Sequence, residues 1–290
     1  MKQFINYTVK LGLLILFLLV LADFFYTSVY NNCTPRNKFQ FVLKNSDLEY
    51  NNIFLGSSRV ANHIDVVLLD SLSKQKNLNL GVEGANYSDN LMMLKLYLKN
   101  NNKVERLFFQ LDHFYENNEM SAIANSEALP FIRNKVIKKH FEMYDDSFLA
   151  YYYLPFYRYQ SADFKIGFRE FFMSLINKKP KINFNEGYIP KYGRPEKLLP
   201  EKLPKKVSEK NVYFNEILNV CEEYGIDVIL FCAPFSSNVE NKEYINQLMN
   251  KYPKLYNYSN TIDDIYFKNS THLNDEGAKL FTKLIFKNNF

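Results

Sequence analysis

The chain has 290 residues, of which 47% are hydrophobic and 23% charged, with a net charge of +5. That is ordinary for a globular protein and long enough for one large α/β domain with a sizeable core. The positive balance favours anionic surroundings such as lipid headgroups or acidic glycans, but no basic cluster resembles a nucleic-acid-binding motif, so nucleic acid is excluded as a partner. Cys33, Cys221 and Cys232 show no paired C-x-x-C spacing. They call for no metal, and Cys221 and Cys232 read as buried small hydrophobes. The wealth of Tyr and Phe, with no Trp, fits either a sugar-binding face or a biased composition.

At the amino terminus, Lys2 and Lys10 precede an uncharged apolar run from Leu11 to Ala22. As a helix, Leu11 to Tyr30 reaches about 30 Å, roughly one hydrocarbon core, with Asp23 near the outer interface. The alternative is a cleaved signal peptide ending at Val20-Leu21-Ala22. Because the apolar run continues beyond that site without a helix breaker, residues 1–30 are taken as a membrane anchor. Either reading exports the body. Residues 31–48, polar and containing Pro35, read as a tether.

The body, residues 49–290, alternates strands with helices. A strand over 51–55 leads to a helix with Ile64, Val67, Leu68 and Leu72 on one face. A second strand, Leu78 to Val82, enters Gly84-Ala85-Asn86, and Ser88 or Asp89 caps a helix striped by Leu91, Leu94 and Leu98. A third strand, Val104 to Leu111, is apolar enough to be central. Residues 112–207 break the alternation and read as an inserted helical cap. Within it, Phe164, Phe168, Phe171, Phe172, Leu175 and Ile176 form a helical stripe expected to pack on the main domain, with the bilayer surface or a membrane partner as the alternative. Alternation resumes with a helix opened by Ser208 and closed by Gly225, a strand from Ile226 to Cys232, a helix over 241–251, a short edge strand from Lys254 to Tyr258, and a last helix capped by Asn274 or Asp275. This order predicts a doubly wound parallel sheet with its site at the carboxyl ends of the strands.

Ser58 follows the first strand and opens the next helix, a position that exposes a hydroxyl beside backbone N–H groups suited to an oxyanion. Taken alone, Gly56-Ser57-Ser58 is equally an ordinary helix cap. His272 follows Ser270-Thr271 and directly precedes the last helix, three residues after Asn269, whose amide can orient its ring. His63 and His140 carry no such context, and His113 is retained as a pocket candidate because it follows the third strand.

Gly56-Ser57-Ser58, Gly84 after Asn79-Leu80-Gly81, and Asn269-x-x-His272 resemble, in order and context, the SGNH/GDSL hydrolase superfamily. The nearest layout is that of its membrane-anchored bacterial members of the DltD/AlgJ-like type, which serve cell-surface acylation. The resemblance covers Asn52 to the carboxyl terminus apart from the insertion. It implies a flavodoxin-like, three-layer α/β fold in which Ser58 is the nucleophile, His272 its base, Asn269 the ring-orienting residue, and Gly84 an oxyanion donor. It implies no cofactor. Its partners would be an acyl donor and a surface glycan, beside a membrane-bound O-acyltransferase, with the domain in the periplasm or on the outer face. Two departures stand out. The third-block Gly-x-Asn-Asp is replaced by Gln110-Leu111-Asp112-His113, leaving Asn86 as a substitute donor. Asn269 stands where an acid is expected, with Asp263 or Asp264 as alternative sources of charge. Arg59 is either a ligand for an anionic substrate group or the partner of a surface acid. A non-catalytic scaffold or glycan-binding protein on the same fold is the competing expectation.

Overall fold

The computed structural model describes residues 1–195 and 198–290. Its helices are α1 (Lys2–Asn32), α2 (Lys38–Lys44), α3 (Ser58–Ala61), α4 (Val66–Ser73), α5 (Tyr87–Lys99), α6 (Ala122–Ala128), α7 (Lys135–Tyr144), α8 (Phe148–Tyr153), α9 (Tyr157–Ser161), α10 (Asp163–Ile166), α11 (Phe168–Leu175), α12 (Val212–Glu223), α13 (Glu243–Lys251) and α14 (Asp275–Asn289). Its strands are β1 (Glu49–Leu55), β2 (Asn77–Asn79), β3 (Lys103–Gln110), β4 (Glu201–Lys202), β5 (Asp227–Cys232), β6 (Val239–Glu240), β7 (Tyr256–Asn257), β8 (Phe267–Asn269) and β9 (His272–Leu273). The chain forms two compact units, Met1–Gln40 with Asn125–Pro180, and Phe41–Ala124 with Lys181–Phe290.

The larger unit is built on a five-stranded sheet in the order β2-β1-β3-β5-β7, with every neighbouring pair parallel. Successive side chains on a strand point to opposite faces, and β3 shows what each face buries. Phe108 stacks on Phe54 at 4.6 Å in a core shared with Phe231, Phe267, Phe281 and Ile285, to which α14 contributes. Phe109, next along, meets Tyr87 of α5 and Phe214 of α12. Helices therefore cover both faces, as a parallel sheet requires. In β1, β3 and β5 the amino-terminal halves are partly exposed and the carboxyl-terminal halves buried. The loops leaving the carboxyl ends close over the sheet, and these loops carry the candidate residues.

Several expectations are corrected in detail. The helix after β1 is broken into α3 and α4 because the Asp65 carboxylate caps α4 by accepting the Leu68 N–H. The buried face is consequently Ile64, Val66 and Leu69, while Val67 is exposed. Asn211, not Ser208, caps α12 by accepting the Phe214 N–H at 2.9 Å; the Ser208 N–H instead donates to the Glu116 carboxylate. The segment read as a tether contains α2, with Phe39 and Val42 fully buried.

The smaller unit joins the carboxyl-terminal turns of α1 to α7–α11. The long helix is apolar enough to cross a membrane, and it is exposed from Lys2 to Leu21. Beyond that point aromatic rings pack on it: Tyr26 stacks on Phe171 at 3.9 Å and meets Phe156 edge-on. Asp23 pairs with Arg158 at 2.8 Å, and the Arg36 guanidinium pairs with Glu170. The 112–207 region is thus not one body. Residues 112–124 and 181–207 belong to the larger unit, and 125–180 to the unit that holds α1. The aromatic stripe is corrected as well. Of its six members only Phe171 is buried, whereas Phe164, Phe168, Phe172, Leu175 and Ile176 are exposed.

Candidate active site

The turn after β1 places Ser58. Gly56 sits where any Cβ would collide with the side chains of Gln110 and Val60, so the chain passes this point only as glycine. Ser57 is the cap of α3, its hydroxyl accepting the Arg59 N–H. Its own N–H and hydroxyl both donate to Gln110 Oε1, at 2.9 and 3.1 Å. Ser58 is left as the first residue of α3, half-buried, where a backbone N–H has no acceptor within the helix.

The β8–β9 hairpin brings His272 to it across 214 residues of sequence, and Ser58 Oγ lies 2.7 Å from His272 Nε2. The other ring nitrogen, Nδ1, lies 2.9 Å from Asn269 Oδ1. That oxygen also accepts the backbone N–H groups of His272, at 2.9 Å, and Thr271, at 3.2 Å. Backbone N–H groups only donate, so the atom they share is the amide oxygen and not its nitrogen. An acceptor facing Nδ1 puts the ring proton there and leaves the Nε2 lone pair directed at the Ser58 hydroxyl. Sequence spacing alone could not fix this tautomer.

Burial lowers the His272 pKa to about 4, with the positive fields of Lys191 and Arg59 acting in the same direction and Glu83 opposing them. Lys191 is held 2.9 Å from Glu83, so the turn that contains Gly84 lies close enough for its charge to reach the imidazole. Gly84 adopts a left-handed φ of +75°, and a Cβ there would press on Ile123. Behind His272, His63 lies edge-on at 6.1 Å. His63 Nε2 accepts the Leu273 N–H at 3.0 Å, and burial, followed by Arg59, His272 and Lys191, keeps its pKa well below the usual imidazole value. A histidine to which the sequence gives no role thus supports the hairpin that carries His272.

Arg59 turns inward, onto an acid that is buried and not at the surface. Arg59 is 1% exposed, and its guanidinium pairs with the Asp112 carboxylate and donates to the carbonyls of Ala233 and Pro234. Its guanidinium carbon also lies over the Phe235 ring, 3.6 Å from the ring centre. Burial by itself would raise the Asp112 pKa. The charges of Arg59 and His113, with hydrogen bonds from Gln110 and Phe114, hold it below the usual carboxylate range. Gln110 and Asp112, which replace the expected third-block motif, therefore tie the end of β3 to the turn after β1. His113 is half-buried against Phe114 and Phe235; burial lowers its pKa, with Asp112 opposing. Asn86 caps α5, and its Nδ2 donates to the Glu119 carbonyl at 3.1 Å. Asp264 is engaged by Ser237, whose N–H donates to it at 2.8 Å. Among the described residues neither Asp263 nor Asp264 is hydrogen-bonded to His272, whose ring partners are Ser58, Asn269 and Thr271.

The strap over 186–191 closes one side of the site. The Asn79 N–H donates to Glu186 O, the Ile189 N–H to Ala61 O and the Asp275 N–H to Lys191 O, which links β2, α3 and α14. This stretch lies within the expected insertion, and nothing in its composition marks Lys191 as a neighbour of His272. Among the described residues no cluster of His, Cys, Asp and Glu is arranged to hold a metal ion. No protein-family model matches the chain, and no curated protein matches it in sequence.

Proposed function

We propose that this protein is a serine-dependent O-acyltransferase or esterase of the SGNH type, acting outside the cytoplasm on O-acyl groups of a surface polysaccharide. The observation that carries the reading is the linear relay Ser58 Oγ, His272 Nε2, His272 Nδ1, Asn269 Oδ1, with separations of 2.7 and 2.9 Å. Further support comes from the sheet. Counting only its own strands along the chain, its order is 2-1-3-4-5, the flavodoxin-like order, and Ser58 follows the carboxyl end of its first strand. A helix able to span a bilayer, followed by the α/β unit, supports an anchored protein with its site outside.

In this reading Ser58 Oγ attacks the acyl carbonyl as its proton passes to His272 Nε2, while the Nδ1 proton remains on its hydrogen bond to Asn269. The backbone N–H groups of Ser58 and Gly84 receive the oxyanion. The imidazolium then returns the proton to the departing alkoxide, leaving an acyl-serine. A sugar hydroxyl or water gives its proton to Nε2 in turn, attacks the acyl-serine and regenerates Ser58. In serine proteases an Asp→Asn change in the triad costs about 10⁴-fold, because the imidazole takes the wrong tautomer. That loss does not transfer here, since two backbone donors fix the Asn269 oxygen toward the ring. What is missing is the charge alone.

The test is labelling of the full-length protein in detergent by a fluorophosphonate probe, which reacts with activated serines. Labelling of the wild type, abolished in Ser58→Ala, is expected. An unlabelled wild type would sink the catalytic reading. One observation favours the alternative of a non-catalytic scaffold or glycan-binding partner of a membrane acyltransferase: no carboxylate bonds His272 among the described residues. That alternative predicts full rescue of surface-glycan acylation by Ser58→Ala in a deletion strain.

A further inference from the structure

The unit holding α1 has an apolar surface that its own fold leaves uncovered, and α1 indicates what covers it. From Phe4 to Leu21 the helix is exposed, a length of about 26 Å, close to one hydrocarbon thickness. Protein begins to pack on the helix at Asp23, the first charge after Lys10, with Phe24 and Phe25 still exposed beside it. Two exposed apolar edges lie at this level. On one side α11 inserts Phe171 against Phe25 and Tyr26 while Phe168, 70% exposed, and Phe172 point away with Leu175 and Ile176. On the other side Tyr153 and Leu154 share a cleft of about 450 Å³ with Val20 and Phe24 of α1.

The charges around that cleft fit a headgroup layer. Arg158, 2% exposed, lines the cleft paired with Asp23, which lines it too, so the positive charge left for a headgroup comes from Arg133 and Lys138. Arg133 lines it too, with its guanidinium 5.4 Å from the Tyr152 ring, and Lys138 approaches the same ring at 5.2 Å. Tyrosine rings with nearby cations are the side chains that settle at a membrane–water interface, where an apolar body and a polar tip are both satisfied. A water-facing surface would leave the apolar edges hydrated. A purely hydrocarbon environment would strand Arg133 and Lys138.

We propose that this unit is an interfacial seat: the Phe168–Ile176 edge and the Tyr153–Leu154 edge lie in the headgroup–acyl boundary of the leaflet from which α1 emerges, with lipid as the occupant. The proposal rests on α1 spanning the bilayer and is independent of the chemistry at Ser58. It assigns to the 125–180 segment a function of its own, holding the protein against the membrane at a fixed depth.

The chain lacks Trp, so one introduced Trp is a unique reporter. Full-length Phe168→Trp, Leu154→Trp and Leu14→Trp would each be reconstituted in phosphatidylcholine–phosphatidylglycerol vesicles, plain or brominated near the carbonyl end or the terminus of the acyl chains. Phe168→Trp and Leu154→Trp should lose at least about half of their emission to bromine near the carbonyl end and less to bromine near the terminus. Leu14→Trp should show the reverse order. If Leu14→Trp is quenched while both edge reporters stay unquenched and open to acrylamide, the seat is refuted and the span stands. If Leu14→Trp is also unquenched, the spanning helix fails and the seat fails with it. Phe168 and Leu154 are exposed, and agreement between them guards against a local disturbance by either substitution.

Discussion

Asn269→Asp exchanges one atom and places a charge 2.9 Å from His272 Nδ1. Among the described residues no hydrogen bond from the Asn269 amide nitrogen is lost, because only its oxygen is engaged. A unit charge at that distance is worth about 1.4 kcal/mol in the dielectric of water and about four times as much at an effective dielectric of 20. Burial of the new carboxylate offsets part of this. A rise of about 1–3 pH units in the imidazole pKa is the expected net effect. The base now lies at about 4, so the acid limb of kcat/KM should move to about pH 5–7. Turnover at neutral pH should hold or rise, since a base nearer the working pH takes a proton more effectively. The assay is hydrolysis of p-nitrophenyl acetate by the full chain across the acid range, with Asn269→Ala, which frees the ring and should lower turnover, as the comparison. An acid limb that moves by less than about half a pH unit in Asn269→Asp would refute the assignment of Asn269 as the ring's partner.

Three further outcomes follow from the same geometry. Arg59→Met leaves Asp112 buried without its partner and should cost about 3–5 kcal/mol in urea unfolding, with part recovered in Arg59→Met/Asp112→Asn; a loss below about 1 kcal/mol would contradict the buried pair. The His272 imidazole titrates near 6.5 when unfolded and near 4 when folded, so between these values the unfolded chain binds the extra proton. Stability should be flat above about pH 6.5 and fall by about 3 kcal/mol on approach to pH 4. His63 acts in the same direction, and an unchanged pH slope in His272→Gln would count against the buried neutral imidazole. Lys191→Met removes a positive field from His272 and should raise the acid limb of kcat/KM, an effect that Glu83→Gln should not reproduce.

Much of the larger unit could be read from the residues because strand and helix periods differ and the strands are strongly apolar. The predicted third strand overlaps β3 over Val104–Gln110, and the predicted fourth covers β5. Ser58 and His272 were legible because each stands at a strand-to-helix turn with a recognisable neighbour. What escaped depended on contacts distant in sequence. An arginine beside a nucleophile looks the same whether it faces substrate or a buried carboxylate, and only the end of β3 decides between them. Lys191 lies in a turn-rich stretch whose path over the site is set by backbone hydrogen bonds to Glu186 and Lys191, which leave no periodic mark. The aromatic stripe of α11 has the pattern of a core-facing helix, yet a surface directed at lipid has the same pattern.

The tie between the turn after β1 and the end of β3 also limits how the protein can vary. Gly56 admits no side chain because Gln110 occupies the space, Ser57 depends on the same Gln110 oxygen, and Arg59 and Asp112 neutralise each other where water does not reach. A single replacement at any of these positions strands a partner more than fifty residues away in the chain. Lineages descending from this sequence should therefore change positions 59 and 112 together or not at all. Where both do change, an uncharged pair of similar volume should replace them, since either charge left alone is buried without its partner.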